Sequence, residues 1–197
     1  MFKVHGLISL IAAGLLLACS ARDSQADAPS SETVSAQSEE LKSFPPLPSP
    51  NLAVPEGNRL AFYYDAIGVQ IYTCQAVTTG YAWAFLAPEA SLFDRHGHLV
   101  IKHFAGPTWQ SVDDGSEVVA KKIADFTAHA DAIPELLLEA TTHAGKGRMQ
   151  DVSYIQRLDT AGGLAPSTGC DAAHVGATSR VDYTATYFFY RSDSGCR

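Results

Sequence analysis

The sequence lacks the local motifs that mark the most common catalytic sites. It contains no GxSxG nucleophile motif, no HExxH zinc motif, no phosphate-binding P-loop and no CxxC pair. Each of these motifs places a nucleophile, metal ligands or backbone amides at a fixed spacing. Their absence excludes sites of those four kinds. A catalytic site of another kind would depend on residues that only the fold can bring together.

Clustered basic residues are also missing. The chain has 14 Lys and Arg against 21 Asp and Glu, which gives a formal net charge of −7. Nucleic acid is bound largely through its phosphates, which require clustered positive charge. The composition therefore argues against nucleic acid as a partner. An acidic balance is equally common in proteins that simply stay in solution, so it identifies no ligand.

Only one long hydrophobic run is present, over residues 7–18 behind Lys3. A helix of about 12 residues spans roughly 18 Å, well short of a ~30 Å hydrocarbon core. Residues 1–18 are therefore predicted to be a signal peptide. The run ends in Leu16-Leu17-Ala18-Cys19, which resembles the bacterial lipobox and predicts lipidation of Cys19. Ser20 follows the cysteine rather than Asp, which by resemblance to enterobacterial sorting favours the outer membrane over the inner. The alternative to lipidation is an ordinary cleaved secretory signal.

Residues 19–50 differ in composition from everything that follows. They are rich in Ser and Pro, include the run Pro45-Pro46-Leu47-Pro48, and contain Phe44 as their single aromatic residue. Such a segment buries too little apolar surface to offset the entropy lost on ordering it. We predict a disordered tether that holds the following domain, residues 51–197, away from the membrane.

Three cysteines follow the tether: Cys74, Cys170 and Cys196. An exported protein folds in an oxidising compartment, so a disulfide is the default expectation. Three cysteines allow three single pairings and leave one thiol over. Spacing alone does not choose among these pairings.

Residues 51–197 have the length of one domain and the periodicity of β-strands. Runs of β-branched and aromatic residues at 60–64, 69–74 and 181–190 have strand length. Turn signals separate such runs at 65–68, 96–97 and 113–116. We predict an all-β domain, either a β-sandwich or a barrel, with about eight to ten short strands.

Several segments match a known family in the same order along the chain. They are Gly68-Val69-Gln70-Ile71-Tyr72-Thr73-Cys74, Pro88-Glu89-Ala90-Ser91-Leu92-Phe93-Asp94, His103-Phe104-Ala105-Gly106-Pro107-Thr108-Trp109, Tyr154-Ile155-Gln156-Arg157-Leu158 and Thr160-Ala161-Gly162-Gly163. Through this series, which spans residues 53–190, the chain resembles the DUF3455 family of secreted proteins, whose function is uncharacterised. Cys74 and Cys170 lie inside the span of the resemblance, and Cys196 lies beyond it. The resemblance therefore implies a Cys74–Cys170 disulfide.

His103 is the first candidate for chemistry, because it shares a motif with Trp109. A histidine can act as general acid or base, and a tryptophan beside it can form the floor of an apolar or sugar-like pocket. Asp94 or Glu89 would supply the carboxylate that orients such a histidine. The structural alternative is that His103 and Trp109 pack in the core.

Gln70 and Arg157 are candidates of a different kind, since both lie in strands that are otherwise apolar. Buried polar groups must be paired. These two side chains are therefore predicted either to line a pocket with His103 and Trp109 or to close an internal structural network.

His96 and His98 form a possible metal site. Because they are two residues apart on a predicted strand, they project from the same face. Asp94, two residues before His96, would lie on that face as well and add a third ligand for Zn²⁺ or Cu²⁺. Gly97 between them favours the alternative, an exposed turn.

Two functional hypotheses follow. The preferred one is a non-catalytic envelope lipoprotein, anchored to the membrane by its N-terminal lipid, whose β domain binds a small molecule, a glycan or an envelope protein. The alternative is a histidine- or metal-dependent periplasmic enzyme, a hydrolase or isomerase, that uses His103 with Asp94 or Glu89. The sequence implies no cofactor.

Overall fold

Eight antiparallel β-strands, paired in chain order, make up the domain. A computed structural model describes residues 49–193, which lie within one compact unit, Leu47–Arg197. A 3-10 turn at Pro50–Leu52 precedes the first strand. The strands are β1 (Asn58–Val77), β2 (Gly80–Phe93), β3 (Leu99–Phe104), β4 (Thr108–Ser111), β5 (Glu117–Phe126), β6 (Glu135–Ala144), β7 (Val152–Gly162) and β8 (Thr178–Ser192).

The sheet closes on itself as a barrel. Each strand pairs with the next one, and β8 pairs with β1. Gly68 of β1, for example, lies opposite Ala90 of β2 on one side and Tyr183 of β8 on the other. Closure removes the unpaired edges that an open sheet would expose. The all-β prediction is confirmed, and of its two alternatives the chain adopts the barrel.

Three predictions fall on residues outside the described range. The predicted signal peptide at 1–18, the predicted lipidation of Cys19 and nearly all of the predicted tether at 19–50 precede residue 49. Cys196 also lies outside it, after residue 193. All three stay predictions. No helix within residues 49–193 has the length and hydropathy needed to span a bilayer.

The prediction of short strands is wrong for β1, which runs unbroken for 20 residues. The supposed turn at 65–68 lies in the middle of this strand. A Cβ on Gly68 would lie 2.4 Å from the Cβ of Ala90 and 2.3 Å from the backbone oxygen of Glu89. The glycine therefore allows two strands to approach closely, a role that Gly also has within strands. A register shift at Ile71/Tyr72 bends the strand further on.

Replacing Gly68 with alanine should destabilise the barrel by about 1–3 kcal/mol, the usual cost of overpacking a close contact. The added methyl group meets backbone and Cβ atoms of β2, which cannot move aside without shifting the strand. Urea unfolding would measure the loss. Ile67→Thr at the neighbouring, 64% exposed position is the control and should change stability by less than about 0.5 kcal/mol. A neutral Gly68→Ala would show that the two strands are not held this closely.

Antiparallel connectivity divides the chain turns between the two ends of the barrel. One end, here called the loop end, carries the connections 78–79, 105–107, 127–134 and 163–177. The opposite end carries the connections 94–98, 112–116 and 145–151. The predicted turns at 96–97 and 113–116 are both confirmed, and both lie at the opposite end.

The barrel interior is an apolar core with several aromatic rings. Trp109, Tyr183, Tyr187 and Phe189 are among the largest fully buried side chains. Trp109 makes edge contacts with Tyr187 and Phe189 at ring-centroid distances of 5.7 and 6.4 Å. These rings fill much of the barrel interior, and two of them, Trp109 and Tyr187, also line the cavity described below.

A second, smaller core lies on the outer face of β6, β7 and β8. Leu52 of the 3-10 turn packs there against Leu137, Leu158 and Phe188. Gln156 secures the turn, because its Nε2 donates to the Leu52 carbonyl at 2.6 Å. Both faces of these strands are therefore covered, which explains the continuous apolar run at 136–138.

A disulfide fastens the longest connection of the loop end to β1. Cys74 and Cys170, 96 residues apart, are bonded with a Cα–Cα distance of 5.3 Å. The pairing implied by the family resemblance is thus confirmed. The bond lies at the same end of the barrel as the cavity described below.

Candidate functional site

A cavity of about 570 Å³ opens at the loop end of the barrel. All eight strands or their connections contribute inward-facing side chains to it, as alternation along closed strands requires. Its wall is mostly aliphatic and aromatic, with few polar groups. The lining residues are Gln70, Tyr72, Phe85, Leu86, Pro88, His103, Gly106, Pro107, Trp109, Lys122, Ile133, Pro134, Leu136, Leu138, Arg157 and Tyr187.

His103 and Trp109 form a stacked pair in the cavity wall. They lie opposite each other in the β3–β4 register, so both side chains point to the same face of the sheet. Their rings stack at a centroid distance of 4.2 Å with planes 10° apart. Tyr187 of β8 packs against both rings. The short 105–107 connection brings the two strands together here.

The buried position of His103 fixes its tautomer and its charge. The side chain is 3% exposed, and its Nδ1 lies 2.9 Å from the carbonyl oxygen of Thr108. A carbonyl only accepts, so Nδ1 carries the proton and Nε2 is the unprotonated nitrogen. Burial lowers the pKa of His103 to about 3, and the positive charge of Arg157 acts in the same direction. His103 is therefore neutral at physiological pH.

Three hydrogen-bond donors of the cavity wall have no acceptor within residues 49–193. They are Nε2 of Gln70, Nε1 of Trp109 and Nε of Arg157. These residues are 3%, 1% and 8% exposed, so bulk water does not solvate them freely. Of six such buried atoms in the described part of the chain, three belong to this one cavity. Three residues of the cavity wall therefore carry donors whose acceptors are missing from the described part of the chain.

Backbone contacts hold the polar residues in place. Arg157 Nη2 donates to the Pro134 carbonyl at 2.7 Å. The Tyr72 hydroxyl donates to the Gly163 carbonyl at 2.6 Å, which ties the 163–177 connection to β1. Ile133 is bound to β7 through its amide, which donates to the Gly162 carbonyl at 2.9 Å. The wall is thus preorganised by contacts with two connections of the loop end, 127–134 and 163–177.

The structure brings together four of the six residues predicted to share a pocket, and separates the other two. Gln70, His103, Trp109 and Arg157 all line the cavity, whereas Glu89 and Asp94 do not. Glu89 precedes Ala90, which lies opposite His103, so the Glu89 side chain points to the outer face. There its carboxylate pairs with Arg180 at 3.0 Å.

Asp94 lies at the opposite end of the barrel, in the β2–β3 turn. Its Oδ1 accepts hydrogen bonds from the backbone amides of His96 and His98 at 2.8 and 2.9 Å. These bonds, the one from His98 foremost, lower the pKa of Asp94. Asp94 therefore stabilises a turn, and neither it nor Glu89 is a partner for His103.

His96 and His98 flank Gly97 at the tip of this turn. Their ring centroids are 6.1 Å apart, and His98 Nδ1 lies 3.2 Å from Asp94 Oδ2. Within residues 49–193 no group of three or more His, Cys, Asp or Glu side chains is arranged to hold a metal ion. The turn geometry places these two histidines on the surface.

Most of the apolar cavity wall was not foreseen from the sequence. Leu136 and Leu138 project from the same face of β6, but the sequence is apolar at all three positions 136–138 and so does not indicate which face points into the barrel. Phe85 and Leu86, each 56% exposed, lie beside the register shift between β1 and β2, which alters the parity that alternation would assign. Pro107 and Pro134 sit in connections, where no periodicity applies.

Comparison with known proteins identifies a family and nothing further. A family model described as "Protein of unknown function (DUF3455)" matches residues 55–191. No curated protein and no solved structure matches the chain significantly. The matched range spans all eight strands apart from the last residue of β8.

Proposed function

The chain belongs to the DUF3455 family, and we propose that its barrel is a non-catalytic binding module that holds a small, largely apolar molecule in the cavity at the loop end. The module would act in the bacterial envelope as a lipoprotein, anchored through Cys19 in the outer membrane. The predicted signal peptide, the lipobox-like segment and the predicted tether support this placement.

The donors of Gln70 and Trp109, two residues of the apolar cavity wall, have no acceptor within residues 49–193, and they carry the proposal. A buried donor without an acceptor costs about 1–3 kcal/mol, so natural structures rarely leave several together. A bound molecule that brings acceptor atoms removes this cost. A volume of about 570 Å³ also lies within the range of small-molecule sites, about 300–1,000 Å³, which combine apolar walls with a few polar groups.

The state of His103 supports binding over acid–base catalysis. A general base works best with a pKa near the operating pH. The pKa of His103 is about 3, so its neutral ring has little tendency to take a proton at pH 7. The two carboxylates predicted to assist it, Asp94 and Glu89, are engaged elsewhere.

The composition of the wall also favours an apolar molecule over a glycan. A sugar presents hydroxyl groups on most of its carbons and needs many polar partners. The wall consists mainly of Leu, Ile, Pro, Phe and Tyr side chains, with donors confined to a few positions. A ligand with an extended apolar part and one polar end fits this distribution better.

A neutral fluorescent probe, N-phenyl-1-naphthylamine, tests the proposal. Its emission rises on transfer from water to an apolar site, so titration into the purified chain should give saturable enhancement with one site per molecule. Leu136→Trp fills the cavity and should weaken binding about tenfold or more. Ile67→Trp, a substitution of the same kind on the outer face, is the matched control and should bind as the parent does.

Two results would contradict the binding proposal. One is the absence of saturable enhancement in the parent chain. The other is equal binding by the Leu136→Trp and Ile67→Trp chains, which would place the probe outside the cavity. Unfolding midpoints of both variants establish that each is folded under the assay conditions.

A further inference from the structure

We propose that the natural ligand is an amphiphilic carboxylate, with its carboxylate bound to Arg157 and its apolar tail lying against the aliphatic and aromatic wall of the cavity. This inference rests on the proposed function, since it assigns a chemical class to the ligand of that same cavity. It is carried by a second observation, the unbalanced positive charge of Arg157.

Arg157 is a buried cation without an anionic partner among residues 49–193. Its side chain is 8% exposed, and its Nη2 donates to the uncharged carbonyl of Pro134. None of the ion pairs within residues 49–193 includes it; they involve other side chains throughout. An arginine stays charged at any pH a protein encounters, so it cannot relieve burial by losing its proton. Buried charges are normally paired.

The neighbouring acidic residue, Glu135, is not that partner. Its Oε1 accepts a hydrogen bond from the backbone amide of Asp159 at 2.9 Å. Its carboxylate lies outside ion-pair distance of the Arg157 guanidinium. Lys122, the other cation of the cavity wall, is neutralised at the surface by Asp125 at 2.7 Å. Arg157 is therefore the one uncompensated cation of the wall within residues 49–193.

The charge of Arg157 reaches across the loop-end half of the interior. It contributes to the low pKa of His103, after burial. Burial raises the pKa of Tyr72 and of Tyr183, and the Arg157 charge acts in the opposite direction on both. Side chains from β1, β3 and β8 thus experience one positive centre, at the same place where apolar walls exclude water and strengthen electrostatic attraction.

The donor set matches a carboxylate in number and kind. A carboxylate is acceptor-only, with two oxygens that each take more than one hydrogen bond. Guanidinium binds it with particular geometric fit, through parallel N–H groups. Nε of Arg157 has no acceptor within residues 49–193, and Gln70 and Trp109, which line the same cavity, each carry a further donor without one. A carboxylate would supply acceptors and the missing negative charge together.

The apolar residues specify the rest of the ligand. Leu136, Leu138 and Ile133 lie on the same wall as Arg157, and Phe85 and Leu86 lie on the opposite wall with large exposed fractions. An aliphatic or aromatic tail that covers these side chains gains about 25 cal/mol for each Å² of apolar surface removed from water. The ligand is therefore an organic acid with a tail, and a small hydrophilic anion would leave this surface unused.

Decanoate and 1-decanol form a matched pair of probes for this inference, because they share a tail and differ in the charge of the head group. Their dissociation constants would be measured by displacement of N-phenyl-1-naphthylamine at about pH 7.5, where a carboxylic acid is ionised. The parent chain should bind decanoate about tenfold or more tightly than 1-decanol. Arg157→Gln should remove that preference and leave 1-decanol binding within about threefold of the parent. Arg180→Gln, which deletes an equal charge on the outer face, is the control and should retain it.

The outcomes separate the two proposals. If the parent binds both probes equally, or if Arg157→Gln binds decanoate as the parent does, the assignment of a carboxylate is wrong and the binding cavity stands. If neither probe displaces a fluorophore that the parent binds saturably and Leu136→Trp binds weakly, the assignment is wrong and the binding cavity stands. If the fluorophore itself does not bind in this way, the cavity proposal fails together with the assignment. The comparison of the two probes on the parent chain needs no variant, so the assignment stays falsifiable even if Arg157→Gln does not fold.

Discussion

Replacing Cys74 and Cys170 with alanine should lower the free energy of unfolding by about 2–5 kcal/mol, a large part of the stability of a typical domain. The bond closes a loop of 96 residues, so the main effect of its loss is a larger conformational entropy of the unfolded chain. The native barrel should persist, because the 163–177 connection is also held by the backbone of Cys74, whose amide donates to the Ala177 carbonyl at 2.9 Å. Urea unfolding without reductant would measure the difference.

Cys196→Ala is the control for this measurement. Cys196 lies outside the described residues and is not part of the Cys74–Cys170 disulfide that closes the loop. This variant should keep the unfolding midpoint of the parent. A loss below about 1 kcal/mol in the double variant, or an equal loss in Cys196→Ala, would contradict the assigned role of the Cys74–Cys170 bond.

Acidification from pH 7 to about pH 4.5 should destabilise the folded domain by about 2–3 kcal/mol through His103 alone, at 1.4 kcal/mol for each pH unit below the unfolded pKa. In the barrel, burial lowers the pKa of His103 from 6.5 to about 3. Between these values the unfolded chain binds a proton that the folded chain does not. The part of the unfolding free energy that depends on a neutral His103 is therefore fully present above pH 6.5, falls as the pH decreases, and stops falling near pH 3.

Chemical unfolding at a series of pH values, with His103→Gln beside the parent, isolates this contribution. Glutamine does not titrate, so the variant should lose the slope between pH 7 and about pH 4.5, a window in which ordinary carboxylates stay largely ionised. His129→Gln, at an exposed histidine in the 127–134 connection, is the matched control and should keep the slope of the parent. Equal slopes in the parent and in His103→Gln would show that His103 is not buried as a neutral ring.

Much of the fold follows from local patterns in the sequence. Runs of β-branched and aromatic residues identify the strands. The turns at 96–97 and 113–116 lie where Gly or Asp residues interrupt those runs. The break predicted at 65–68 failed because a glycine has two uses in a sheet. At Gly68 it serves close strand approach, a contact with β2 that no local pattern reveals. The closure of β8 on β1 is equally a long-range property.

The candidate site was also predictable only in part, because it too depends on contacts between residues distant in the sequence. Sequence motifs and buried polarity single out Gln70, His103, Trp109 and Arg157, and the fold places all four in one cavity. Motif proximity misleads for Glu89, since its side chain alternates to the outer face of β2. The apolar wall depends on which face of each strand turns inward, and a strand such as β6 or β7, covered on both faces, carries no signal for this.

The indole resonances of the two tryptophans test the account most directly. Trp109 lines the cavity and its Nε1 has no acceptor within residues 49–193, whereas Trp83 lies outside the cavity and its Nε1 donates to the Thr168 carbonyl at 2.8 Å. In ¹H–¹⁵N spectra, titration with decanoate should move the Trp109 indole N–H downfield as it gains an acceptor and leave the Trp83 resonance in place. A Trp109 resonance that stays fixed at saturating decanoate, or movement of Trp83 alone, would contradict ligand binding in this cavity.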